Sequence, residues 1–369
     1  MDTFNPSARR MFLFAFGLWT ASAACSNLKL EPLAESNKND CPGETNEVHS
    51  DAGCEADGGS TNSTGGASGS GGNGGASGGS GGASSGTGGM QTGGSGGAGG
   101  AGGPTGVSLA VPGGAFNRSN NSAFPATVSP FFLDESEVTV GRFRAFVSAG
   151  FGTTNKTPAN DSGAHPKIPN SGWQSAWNAE LVGDAPTLRM ALQCESTFQT
   201  WTNSPGPNEN RPINCVSWYE AFAFCIWEGG RLPTEAEWNY AATGGDEQRE
   251  FPWGAASADG TRASYVCTGD GSAPQDCMAS DILTVGSRPD GNAKWNHTDL
   301  SGNLWEWVLD MSAPYSSPCN DCANVANGTD RVARGGSFAE TAVNITSAVR
   351  FAEMPASRFP GIGFRCAHD

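Results

Sequence analysis

The chain has 369 residues, of which 53 are glycine, 11 are cysteine and only four are histidine, with a formal net charge of -16. That charge argues against nucleic acid and anionic lipid as partners, since both require a basic footprint. His49, His165, His297 and His368 are too few for a site built on clustered histidines, and from Val107 onward no apolar run reaches the length of a membrane-spanning helix.

The first 24 residues read as an export signal. Arg9 and Arg10 precede the apolar run Met11 to Trp19, and Ala21, Ser22, Ala23 and Ala24 follow it. Cys25 after these small residues resembles the lipidated cysteine of a bacterial lipoprotein, although Ser22 replaces the usual leucine. Residues 25–57 form a short segment containing Cys41 and Cys54. Residues 58–106 are almost only Gly, Ser, Ala, Thr and Asn, a composition that cannot bury enough apolar surface to order itself and reads as a flexible linker. Residues 107–369 hold ten of the eleven tryptophans, enough for one large core.

Setting aside a lipidated Cys25 leaves ten cysteines, and an even number in an exported chain reads as disulfides. Local spacing pairs Cys41 with Cys54, Cys267 with Cys277 and Cys319 with Cys322, which leaves Cys194, Cys215, Cys225 and Cys366 for two further bridges. Cys319 and Cys322 have the C-x-x-C spacing of redox enzymes. Pro318, Asn320 and Asp321 mark a loop there, so the pair reads as a staple. No second Cys/His pair stands near it to complete a zinc site.

Along the folded block, residues 109–116 read as a strand with a turn, and 131–138 as an exposed strand. Thr139 can cap a helix whose apolar face is Phe143, Phe146 and Val147. Residues 150–210 are rich in Asn, Pro, Gly and Ser and read mostly as loop. Ser217 caps a second helix, Trp218 to Trp227. Thr234 caps a third, with Glu237 as its capping-box partner, ending at Gly244 and Gly245. Short strands are expected at 332–338 and 363–366. Two or three helices on a loop-rich core with small sheets make the fold α+β.

Several blocks point to a family. Arg211 to Trp218, Gly230 to Trp238 (G-R-L-P-T-E-A-E-W), Asp299 to Trp307 (D-L-S-G-N-L-W-E-W), Arg334 to Phe338 (R-G-G-S-F) and Gly363 to Arg365 stand in order. So do Val111 to Gly114, Glu137 to Thr139 and Pro252 to Gly254. Together they resemble the formylglycine-generating enzyme, or sulfatase-modifying factor, family across residues 108–369. The resemblance implies an elaborated C-type-lectin-like fold, low in regular structure. It also implies a long-range Cys225–Cys366 bridge, which leaves Cys194 with Cys215.

The family's enzymes oxidise a substrate cysteine to formylglycine with oxygen and copper, and two thiolates hold the metal because soft sulfur selects Cu(I). The resemblance places that pair at Glu340 and Ile345, and no cysteine occurs between Ser337 and Cys366. Copper is therefore not expected. The iron-binding branch of the family needs more histidines than this chain has. Structural calcium at the G-N-x-W-E-W turn would fall on Ser301, Gly302, Leu304 and Glu306, backbone carbonyls plus a carboxylate.

The resulting expectation is an exported, lipid-anchored monomer of a bacterial cell envelope that binds a peptide, protein or glycan in the former substrate groove. Trp305, Glu306, Ser337, Phe338, Glu340 and Arg350 would line that groove. The alternative is a divergent enzyme in the same groove, either one using Glu340 with other carboxylates to hold a hard metal or one forming formylglycine from a protein cysteine by another route.

Overall fold

The computed structural model describes residues 106–274 and 276–369. The expected signal, Cys25, the Cys41–Cys54 pair and the linker up to residue 105 lie outside the described residues. In chain order the elements are β1 (Ser108–Val111), β2 (Gly114–Asn117), β3 (Pro125–Val128), β4 (Phe131–Asp134), α1 (Val140–Ser148), α2 (Ala185–Ala191), α3 (Trp218–Trp227) and α4 (Glu235–Thr243). They continue with β5 (Trp305–Met311), β6 (Cys319–Asn320), β7 (Arg331–Arg334), β8 (Arg350–Glu353), β9 (Ile362–Phe364) and β10 (Ala367–His368). Turns and 3-10 segments connect them.

The strands form three small sheets, ordered β1-β4-β10, β2-β3-β6 and β8-β7-β5-β9. The four-stranded sheet is the spine. Successive residues of a strand point to opposite faces, and β5 uses this alternation to serve two cores. Trp305, Trp307 and Leu309 pack with Phe143, Trp218, Phe224 and Phe364 on the α1/α3 side. Val308 packs with Trp238, Leu133 and Val332 on the α4 side.

The helix ends follow from their caps. Ser217 and Glu220 form a capping box at α3, and Thr234 and Glu237 form one at α4. Gly244, at φ 66°, closes α4 in the left-handed region that glycine tolerates. Glu237 also takes two 2.7 Å hydrogen bonds from Arg231. Burial would raise its carboxyl, but Arg231 and His165 outweigh burial and pull it down to about 2.

Three expectations are corrected. The strand at 131–138 is shorter and not exposed: β4 is the central strand of its sheet, with Phe131 and Leu133 buried and only Phe132 facing out. The stretch 150–210 is mostly irregular but contains α2, capped by Asp184 with Pro186 in its first turn. The expected strand at 332–338 stops at Arg334, because Gly335 and Gly336 turn the chain at φ 99° and 79°.

Among the described residues there are four disulfides: Cys194–Cys215, Cys225–Cys366, Cys267–Cys277 and Cys319–Cys322.

His297 is fully buried. Burial, helped by the charge of Arg365, holds its imidazole at about 3 instead of 6.5. The unfolded chain therefore takes up this proton first. The stability gained by keeping His297 neutral is fully present above 6.5 and is lost as pH falls toward 3. Between pH 7 and pH 4 that loss is about 3 kcal/mol. Urea unfolding across this range should show the wild type losing more stability than a His297→Leu variant; parallel pH profiles would refute the assignment.

Candidate functional site

The site is built on the end of β5 and the segment that follows β7. Trp305 starts β5, opposite Ile362 of β9. Beyond β7, Gly336 has no room for a side chain: a Cβ there would lie 2.5 Å from Ile345 Cγ2 and 2.7 Å from the Asn344 carbonyl. This close approach folds residues 337–345 back over Trp305.

Glu340 sits at the centre. Its Oε1 accepts from the Trp305 indole Nε1 at 3.3 Å and its Oε2 from Asn344 Nδ2 at 2.9 Å. Its carbonyl accepts from the Val266 N–H at 2.8 Å, and the Phe338 carbonyl from the Cys267 N–H at 2.8 Å. The Cys267–Cys277 loop thus lies along the site's edge. Phe338 packs with Phe198 at 5.6 Å between ring centroids, over Leu304 and Ile282. Trp305 rests on Phe351, 5.3 Å away.

Of the six expected groove residues, Trp305, Ser337, Phe338 and Glu340 come together. Glu306 and Arg350 do not, and strand alternation is the reason. Glu306 turns to the α4 side, where Arg365 Nε and Nη2 donate to its two oxygens at 2.7 and 2.6 Å and Trp238 Nε1 donates at 2.8 Å. Arg350, next to Phe351, turns away to donate to Glu235 Oε2 at 2.8 Å and to stack over Tyr315 at 4.3 Å. Trp305, Ser337 and Phe338 are themselves buried, so they form a floor. Val343 is exposed nearby, and Phe359 lies on the rim beside Ser337 and Gly361.

The residues do not fit the metals the family resemblance implies. Ile345 is fully buried against Phe251 and Ala263 and carries no donor. Glu340 is a hard ligand whose oxygens already accept from Trp305 and Asn344. All eight described cysteines are in disulfides, so no thiolate pair is available among the described residues to hold copper. For calcium, the Glu306 carboxylate is taken by Arg365, and the Ser301 hydroxyl donates to the Ile345 carbonyl. Gly302 and Leu304 would supply backbone carbonyls without the expected carboxylate. Nor does Glu340 gather partners for a hard metal. Among the described residues the one compact acid/thiol group is Asp134, Glu228 and Cys366, elsewhere in the fold and with Cys366 in a disulfide.

Sequence reasoning missed Asn344, Phe198 and Asn303. It also missed a buried acid group behind the floor. Asn303 Nδ2 donates to Glu137 Oε2 at 2.7 Å, and the Leu304 N–H donates to Oε1 at 3.1 Å. Burial and the nearby Asp299 and Glu306 push the Glu137 carboxyl far above the ordinary range, with Arg365 opposing.

A family model, described as a sulfatase-modifying factor enzyme 1-like domain, matches residues 102–369. The chain belongs to the sulfatase-modifying factor family. It is 32% identical over 290 residues to a formylglycine-generating enzyme of Streptomyces coelicolor, covering 71% of this chain and 88% of that one. It is 29% identical over 292 residues to the inactive C-alpha-formylglycine-generating enzyme 2 of Bos taurus, covering 70% and 87%. Among solved structures, PvdO from Pseudomonas aeruginosa superposes with a TM-score of 0.50 at 21% identity, over 71% of this chain and 94% of that one. The chain thus has the α+β, C-type-lectin-like architecture of sulfatase-modifying factors. Relatives named as enzymes and as inactive proteins match it about equally well, so family membership leaves activity to be read from the site.

Proposed function

We propose that this sulfatase-modifying factor is an exported, membrane-tethered binding module that does not form formylglycine. The carrying observation is the chemistry at the two positions that correspond to the copper-holding cysteines. One is a carboxylate hydrogen-bonded to Trp305 and Asn344, and the other is a buried isoleucine. A carboxylate and an alkyl group neither hold Cu(I) nor form a disulfide with a substrate thiol. Loops over a rigid core make a recognition platform, and the half-buried Glu340 with the exposed Val343 and Phe359 gives the ligand a mixed polar and apolar face. The charge order at the start of the sequence, Cys25 and the disulfides support export and tethering.

The test is incubation of the purified protein with Cu(I), oxygen and a Cys-Thr-Pro-Ser-Arg peptide, with the products weighed by mass spectrometry. The expected result is no aldehyde above the protein-free control. Conversion by folded, disulfide-bonded protein would show that the cysteine pair is dispensable and would overturn the proposal.

A further inference from the structure

The turn between β6 and β7 is held by one side chain. Asn324 Oδ1 accepts from the Asn327 N–H at 3.1 Å, and Asn324 Nδ2 donates to the Asn327 carbonyl at 2.7 Å. The same Nδ2 donates to the Met311 carbonyl at 3.0 Å, and the Asn324 N–H donates to Asp310 Oδ1 at 2.9 Å. Asp310 Oδ2 accepts from the Glu235 N–H at 2.8 Å. The turn is thereby tied to the end of β5 and the start of α4.

Position 328 needs glycine. Its φ is 151°, and a Cβ there would lie 2.9 Å from the Ser312 carbonyl oxygen and 3.1 Å from Met311 Cβ. The fold therefore sets after Asn327 a residue with no side chain to shield its amide nitrogen. Among the described residues, the Gly328 N–H and the Asn327 side-chain amide have no hydrogen-bond partner, and both residues are exposed. Asn327 is the one described asparagine followed by glycine. Asn155 and Asn203 are exposed too, but Lys156 and Ser204 follow them. Asparagine is a thermolabile residue, and here the two reacting groups are neighbours with nothing else to hold them.

We propose that Asn327 is a site of spontaneous deamidation, with water as the co-reactant, and that the product loosens this turn. The Gly328 amide nitrogen gives up its proton and attacks Asn327 Cγ. The bond from Cγ to Nδ2 breaks, the nitrogen leaves as ammonia, and a cyclic imide closes. Water then opens the ring at either carbonyl. Opening at Cγ gives aspartate. Opening at the former backbone carbonyl gives isoaspartate, in which the chain runs through Cβ and Cγ. The carbonyl that Asn324 Nδ2 held then becomes a carboxylate off the main chain. Asn324 no longer fits the lengthened turn, and its tie to Asp310 weakens. The site is independent of Glu340, so either proposal can fail alone.

The test incubates the whole protein in mildly alkaline buffer made with heavy-oxygen water, then digests it in ordinary water and maps the peptides by mass spectrometry. Heavy oxygen at residue 327 marks a ring opened during the incubation. Asn327 is expected to convert faster than every other described asparagine, Asn155 and Asn203 included, with isoaspartate the larger product. The incubated protein should unfold at a lower urea concentration than fresh protein. An Asn327→Ser variant keeps the backbone groups that Asn324 holds, so its urea midpoint should start near that of the wild type and stay there through the same incubation. Three results would overturn the proposal: Asn327 converting no faster than Asn155 and Asn203, an unchanged urea midpoint in protein converted at Asn327, or an equal fall in the Asn327→Ser variant. The order of conversion is read on the wild type, so a poorly folded variant leaves that arm decisive.

Discussion

Replacing Arg365 with methionine should cost the folded state about 3–5 kcal/mol, the range for breaking a buried pair from one side. Arg365 is fully buried. Besides Glu306 it donates to the carbonyls of Asp134 at 3.2 Å, Glu135 at 3.1 Å and Thr298 at 2.8 Å. It thereby joins the end of β4, the loop before β5 and β9. Removing it strands Glu306, Glu137 and Asp299, whose carboxyls burial already raises. For groups raised in this way, stability is present below their unfolded values and lost as pH rises through the folded ones. The variant's deficit should therefore be largest at neutral pH and shrink toward pH 4. Since a whole domain is stable by only about 5–15 kcal/mol, urea unfolding at pH 7 will read the loss directly. A loss below about 1 kcal/mol, the size of an exposed pair, would mean that water reaches the cage.

Removing the Cys225–Cys366 bridge by a double alanine substitution should have a comparable effect. Its sequence separation of 141 residues corresponds to about 5 kcal/mol in the chain-entropy account, or a fall in Tm of roughly 10–20 °C for a domain of this size. The bridge ties α3 to the link between β9 and β10, with its Cα atoms 5.4 Å apart. Calorimetry of the double variant against wild type measures the effect. An unchanged Tm would show that the α3 core alone holds these strands.

Helix ends were legible in the sequence because capping is local: Ser217 and Thr234 stand where α3 and α4 begin. The same logic was available at Asp184 and Pro186 for α2, but the surrounding Gly, Pro and Asn hid it. The family blocks located the segments of the site and not their partners. That Glu306 meets Arg365 and that Asn303 meets Glu137 are long-range facts, invisible to any short window. The split of Trp305 from Glu306 and of Arg350 from Phe351 was readable in principle, since a period of two sends neighbours to opposite faces. Similarity along a block carries no sign of that split.

The division of labour along β5 has an evolutionary consequence. Residues that hold the frame, such as Glu306, Trp307 and Arg365, lie behind the sheet or within its cores. Positions 340 and 345 hang on a turn set by Gly336. Exchanging their side chains disturbs neither the ion cage nor the strand pairing. The side chains at 340 and 345 can therefore differ while the blocks that build the frame stay as they are. The blocks that mark the family and the two positions that the resemblance assigns to the copper ligands are thus different residues.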